Sequence, residues 1–188
     1  MKFLANTIFR LMGWKIVGSI PPDIKKCVIL AAPHTANSDF FIGRIAYWCL
    51  GVPVKFLIKK EAFENPLGWL LRKFGGISVD RAKSNNLVEG VAHLFNEYEV
   101  LNVVITPEGT RKLSKEWKKG FYFIALRAKV PIILGFVDYK TKEGGFGPTL
   151  YPSGDFDKDF MIIQEFYKTK TACHPELFSL SPENLAKN

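Results

Sequence analysis

Three short segments concentrate the residue types that move protons and hold anions. The first is His34-Thr-Ala-Asn-Ser-Asp39. A histidine works as a general base when a carboxylate fixes its tautomer and holds its ring. Five positions on a straight helix differ by about 140° in azimuth, so this pair meets only if His34 lies in a turn and Asp39 points back from the first helical turn. A plainer reading has Asp39 capping a helix beside an unrelated His34. The second segment is Ile105-Thr-Pro-Glu-Gly-Thr-Arg111. Gly109 lets backbone approach a ligand, and Arg111 can grip a phosphate through two hydrogen bonds. Glu108 can orient Arg111 or bind a substrate hydroxyl; alternatively Glu108 and Arg111 are an ordinary ion pair in a turn. The third is Gly75-Gly-Ile-Ser-Val-Asp-Arg81. Arg81 either joins Arg111 or makes a solvated pair with Asp80. His93, inside a helical pattern, and His174, in a polar stretch, carry no comparable neighbours.

These segments share a position: each comes directly after a short apolar run. The runs 27–32, 54–58, 77–80, 102–106 and 130–139 read as strands. Helical periodicity fills 39–50, 66–74, 84–98 and 117–128 between them, and Gly144-Gly-Phe-Gly-Pro148 reads as a hairpin turn. Strand and helix alternating at this spacing predict one α/β domain over residues 1–188, its largely parallel or mixed sheet flanked by helices. The motif-bearing core spans 27–137. His34, Lys59-Lys60, Arg81 and Glu108/Arg111 then fall at strand ends, where ligands bind in open α/β sheets. A histidine base facing cations suits removal of a proton from a hydroxyl on an anionic substrate. The last fifteen or so residues are polar and read as peripheral.

Other chemistries lack their residues. There is no GxxxxGK[ST] loop and no GxGxxG. The nearest approach to a GxSxG elbow, Gly76-Ile-Ser78-Val-Asp80, lacks the last glycine. Cys27, Cys49 and Cys173 form neither a CxxC pair nor a disulfide framework, which predicts no structural zinc and a reducing compartment. No run approaches 18 apolar residues, so no transmembrane helix is expected. The formal net charge of +8 requires an anionic partner, but no nucleic-acid motif accompanies it.

The N-terminal segment 1–20 supplies another anionic partner. Phe3, Leu4, Ile8, Leu11 and Met12 recur at helical spacing, with Lys2, Arg10 and Lys15 beside them. Either this helix packs on the core, or it lies in a membrane surface with its cations on anionic headgroups and Trp14 at the boundary. Lys112, Lys115, Lys118 and Lys119 form a second basic stretch that reads first as a solvated face.

Taken in order, HTANSD (34–39), GGISVDR (75–81), PEGTR (107–111) and VPIIL (130–134) resemble the four blocks of the 1-acylglycerol-3-phosphate acyltransferase family of glycerolipid acyltransferases. The resemblance implies that His34 is the general base and Asp39 its orienting partner. It implies that Arg81 and Arg111 contact the acceptor's phosphate, with Glu108, Gly109 and Thr110 shaping that site and Lys60 in the acceptor pocket. The implied substrates are a lysolipid acceptor and an acyl thioester of coenzyme A or acyl carrier protein, with no cofactor, metal or nucleic acid. The implied location is the cytoplasmic face of the membrane, as a peripheral protein. A backbone N–H near the His34 turn is the candidate oxyanion donor. Two other readings stand beside this one: an acyltransferase acting on a lyso-aminolipid without phosphate, and a non-catalytic basic lipid-binding protein.

Overall fold

The computed structural model describes residues 2–66, 68–79 and 84–186. Seven strands form one mixed sheet: β1 (Lys15–Val17), β2 (Lys26–Ala31), β3 (Val54–Lys59), β4 (Gly76–Val79), β5 (Leu101–Ile105), β6 (Ile132–Asp138) and β7 (Glu143–Leu150), in the order β1-β7-β6-β2-β5-β3-β4. The run β6-β2-β5-β3-β4 is parallel throughout, with Leu30 in register with Ile105 on one side and Leu134 on the other. Only β6 and β7 pair antiparallel.

β2 is central because it is apolar on both faces. Val28 and Leu30 face one helical layer; Cys27 and Ile29 face the other. The first layer holds α4 (Ser84–Glu97), α5 (Gly120–Ala128) and α6 (Phe156–Lys168), which contribute Val91, Phe95, Phe121, Tyr122, Ile163 and Tyr167. The second holds α1 (Lys2–Leu11) and α2 (Asn37–Leu50), which meet through Ala5, Phe9, Ile42, Ala46 and Cys49. A short helix α3 (Gly68–Lys73) precedes β4, and α7 (Pro182–Leu185) ends the chain.

Several expectations need correction. Gly144-Gly-Phe-Gly-Pro148 is not a hairpin turn; it runs inside β7, and the reversal falls at residues 139–142. The glycines are there for close packing: a Cβ on Gly145 would fall 1.9 Å from the Val17 carbonyl oxygen, and one on Gly147 would fall 2.2 Å from the Phe166 ring. The C-terminal tail is not peripheral. Phe178, Leu180, Ser181 and Asn184 are buried, and Asn184 Nδ2 donates to the Phe178 carbonyl at 2.8 Å. α1 ends at Leu11, and Lys15–Val17 pairs as an edge strand with β7. Trp14 lies in the core rather than at a surface boundary, edge-on to Tyr139. The apolar stripe expected on α1 is the outward face: Phe3 and Leu11 are 87% and 83% exposed, while Ala5 and Phe9 make the packed face. The helix α6 goes unread in the strand-and-helix reading of the sequence, although Phe156, Phe160, Ile163 and Tyr167 recur there at helical spacing.

α6 anchors the sheet through one phenol. Tyr167 is fully buried, and its hydroxyl stands 2.6 Å from the Leu30 carbonyl and 2.9 Å from that of Gly135. It therefore ties α6 to the ends of the two strands that lead into the site. Tyr167→Phe removes the single proton shared between these carbonyls, while the Gly135 carbonyl keeps the Ala32 N–H at 3.4 Å, so it is expected to destabilise the domain by about 0.5–1.5 kcal/mol, a fall in Tm of a few degrees. Thermal denaturation monitored by circular dichroism checks this.

Candidate active site

Because β2, β3, β5 and β6 are parallel, the loops at their carboxyl ends all emerge at one edge of the sheet. Pro33 and His34 come just after β2, and the loop turns at once into α2, whose third residue is Asp39. This is the geometry the five-residue spacing requires. His34 Nδ1 lies 3.5 Å from Asp39 Oδ2, with the Asp39 side chain 5% exposed and the His34 side chain 23% exposed. The contact is long for a hydrogen bond, as pairs of this kind often are before substrate tightens them.

Asp39 also caps its helix. Its Oδ2 accepts from the N–H groups of Thr35 and Ala36, each at 2.7 Å. Its Oδ1 accepts from the Tyr139 hydroxyl at 2.7 Å. The two readings of this aspartate are thus one arrangement: the carboxylate that caps the helix is the one that faces the histidine. Burial acts to raise its pKa, but the hydrogen bonds from His34, Tyr139, Ala36 and Thr35 outweigh burial and hold it below the ordinary carboxylate value.

Glu108 does not pair with Arg111. It is 4% exposed and accepts the His34 N–H, with Oε2 at 2.9 Å and Oε1 at 3.3 Å. Among the described residues no cation pairs with it, and Arg111 points to solvent without an acidic partner. Burial, reinforced by the nearby Asp39 charge, pushes the Glu108 carboxyl up to about 8 despite the opposing His34 N–H. The glutamate therefore shapes the site from beneath, by holding the histidine loop. The N–H groups of residues 34, 35 and 36 are all taken by these two carboxylates, so the oxyanion donor is not among them.

A cavity of about 520 Å³ opens at this edge, walled mostly by apolar side chains. His34 and Asp39 line it together with Tyr47, Phe56, Phe136 and Lys118. Among the described residues, Lys118 is the cation that reaches it. Its side chain crosses Gly109 so closely that a Cβ there would sit 2.7 Å from Lys118 Cε, and Gly109 adopts φ +66°. Thr110 is exposed, its hydroxyl accepting the Lys112 N–H at 3.2 Å. Lys60 opens a 3₁₀ turn after β3 and is exposed. Neither Lys60 nor Arg111 forms part of the described cavity wall. Arg81 lies outside the described residues. Of the basic stretch, Lys115 and Lys119 line a separate hollow against α6, away from His34.

Sequence reasoning missed Lys118 and Tyr139. Lys118 belongs to a basic run that reads as a solvated face. Tyr139 closes the apolar run of β6, so the strand-end criterion that selected His34 would have selected it too. The C-terminal segment also reaches the site: the His174 N–H donates to Thr35 Oγ1 at 3.1 Å. Cys27, by contrast, is no nucleophile. Burial pushes its thiol up to about 12.

The acyltransferase family model matches residues 16–133, which carry His34, Asp39, Lys60, Arg81, Glu108, Gly109, Thr110, Arg111 and Lys118. The chain belongs to the acyltransferase family. It is therefore an enzyme, which sets aside the non-catalytic lipid-binding reading. Its fold is similar to the crystal structure of the 1-acyl-sn-glycerophosphate (LPA) acyltransferase PlsC from Thermotoga maritima, with a TM-score of 0.60 at 17% identity. That alignment covers 91% of this chain and 79% of the other. No curated protein sequence matches the chain. The PlsC likeness confirms the single α/β domain with helices on both faces of its sheet.

Glu108 sets a pH dependence. Its carboxyl sits at about 8 in the fold against an ordinary 4.5, so the folded protein holds a proton that the unfolded chain gives up. This contribution to stability is complete below about 4.5 and is lost as the pH rises toward about 8. Glu108→Gln keeps an acceptor for the His34 N–H and cannot ionise. Urea denaturation at pH 5 and pH 8 is expected to show a smaller drop in stability for the variant than for the parent; an equal drop would mean that Glu108 does not titrate in this range.

Proposed function

We propose that this acyltransferase moves a fatty acyl group from an acyl thioester to the hydroxyl of a lysophospholipid, 1-acylglycerol 3-phosphate being the acceptor that fits best. The observation that carries the reading is His34, partly exposed at the mouth of an apolar cavity, with its Nδ1 toward the buried Asp39 carboxylate. Nδ1 engaged by a carboxylate leaves Nε2 on the far edge of the ring to meet a substrate hydroxyl.

The chemistry needs no cofactor. The acceptor's hydroxyl oxygen attacks the thioester carbonyl while Nε2 takes its proton, giving a tetrahedral oxyanion and an imidazolium that Asp39 stabilises. Collapse of that intermediate breaks the carbon–sulfur bond, and the imidazolium returns the proton to the departing thiol of coenzyme A or acyl carrier protein. The thioester is already activated, so no acyl-enzyme intermediate is invoked. The apolar cavity walls suit an acyl chain. Lys118 in the wall, with Lys60 and Arg111 exposed at neighbouring strand ends, suits an anionic headgroup or donor phosphate. The same cations can take a carboxylate, which is how a lyso-aminolipid acceptor would bind.

Acyl transfer to a panel of lysolipids, read by mass spectrometry of the products, tests the reading. Product with 1-acylglycerol 3-phosphate supports it, and product only with a lyso-aminolipid replaces the acceptor. His34→Ala is expected to lower turnover by about 10²–10⁴-fold with the fold retained. Asp39→Asn is expected to be similarly damaging, because an amide no longer fixes the tautomer. Near-normal turnover in either folded variant would remove the residue from the mechanism.

The acceptor resides in a bilayer, so we place the enzyme on the cytoplasmic face of a membrane, held by α1. Among the described residues no helix is long and apolar enough to cross a membrane. The support is the unpartnered stripe of Phe3, Leu4, Ile8, Leu11 and Met12, beside Lys2 and Arg10. Removing α1 would also remove Phe9 from the core, so point substitutions make the cleaner test. Phe3→Ser combined with Leu11→Ser is expected to leave Tm unchanged and to weaken co-sedimentation with anionic vesicles several-fold, and binding by the parent should fall with salt. Equal binding by the double variant would move the membrane contact elsewhere.

A further inference from the structure

Tyr139 sits immediately after β6, and its phenol is engaged from two sides. Its one hydroxyl proton goes to Asp39 Oδ1 at 2.7 Å. Ser38 Oγ stands 2.8 Å from the same phenol oxygen. Because that oxygen has a single hydrogen and gives it to the carboxylate, Ser38 is the donor in the second contact. The hydrogen bonds thus run one way, from Ser38 to Tyr139 to Asp39. The ring is packed as well as bonded: it meets Trp14 edge-on, with centroids 5.2 Å apart.

The two oxygens of Asp39 have separate partners. Oδ2 faces the His34 ring and accepts the N–H groups of Thr35 and Ala36. For Oδ1 the donor, among the described residues, is the Tyr139 phenol. We propose that Tyr139 is a positioning residue for the His34–Asp39 pair: its phenol fixes the rotation of the Asp39 carboxylate so that Oδ2 faces His34, and Ser38 fixes the phenol. This rests on the reading of His34 as the base. Tyr139 itself is not part of the described cavity wall, so it acts through Asp39 and not on substrate. It also lies beyond residues 16–133, so family membership does not supply the role.

The ionisable groups that bear on Asp39 are His34, Tyr139 and Glu108, and Cys173 bears on the phenol from the C-terminal segment. A hydrogen bond donated to a carboxylate draws off part of its charge. Without the phenol, the charge on Asp39 and its hold on the proton at His34 Nδ1 both change. The carboxylate also gains freedom to turn away from the ring.

Tyr139→Phe in the full chain removes the hydroxyl and keeps the ring against Trp14. Two measurements decide the role. Ring signals of the histidines are tracked by NMR across pH, with His34 assigned by its disappearance in His34→Ala. The kcat and KM for acyl transfer are measured alongside. The expected result is a folded protein whose His34 signals reach their midpoint about half a pH unit away from that of the parent. With it go a roughly tenfold fall in kcat, near-constant KM values, and an acid limb of kcat/KM displaced the same way. Ser38→Ala, at an exposed position, is expected to move the midpoint in the same direction by less, and it stands in if Tyr139→Phe does not fold. An unchanged His34 midpoint in the folded variant, or an effect confined to KM, would overturn the proposal. If the parent transfers no acyl group to any lysolipid, the proposed function fails, while the NMR comparison still decides what Tyr139 does to the pair.

Discussion

Glu108 and Asp39 together occupy the backbone N–H groups of three successive residues, His34, Thr35 and Ala36. Each carboxylate comes from a different place in the chain, one from the loop after β5 and the other from the first turn of α2. The loop that carries the histidine is therefore held from both sides, and its ring is aimed by backbone hydrogen bonds before any substrate arrives. The central position of β2 makes this arrangement available. With β5 on one side and β6 on the other, the loop after β2 has the ends of both neighbours as anchors, and each contributes one: Glu108 from β5 and Tyr139 from β6.

The two carboxylates face different conditions a short distance apart. Asp39 collects enough donors to stay charged despite its burial. Among the described residues Glu108 has one N–H and no cation, and it keeps its proton into the neutral range. A pair of acids with divergent environments divides its labour. The charged one can stabilise an imidazolium, and the neutral one can hold a loop without adding a second negative charge beneath it.

Much of this was legible in the residues. Apolar runs marked β2 to β6 to within a residue or two, because a strand buried on both faces leaves little room for other residue types. The His34–Asp39 meeting could be argued from the angle between helix positions. The hidden part depends on contacts between segments far apart in the chain. Glu108 beside Arg111 looks like an ion pair until the fold places it under His34, 74 positions away. Tyr139 meets Asp39 across 100 positions. The glycines of β7 mimic a turn because the constraint they answer, the approach of Val17 and Phe166, lies in other elements. The tail around Phe178 reads as polar by composition, yet it buries a few residues and reaches Thr35 through the N–H of His174.

The first helix carries its two apolar faces on separate residues, Ala5 and Phe9 inward and Phe3, Leu4, Ile8 and Leu11 outward. It cannot swing away from the body as a tethered anchor would, since Phe9 and nearby Trp14 are part of the packing that also braces Tyr139. Any surface that receives the outer face therefore receives the whole domain at one fixed tilt, with the edge that carries His34 at a set height above it. Grip and aim become independent variables. The outer residues can drift in greasiness to suit a thinner or more charged boundary, while the inner ones keep the angle of approach constant.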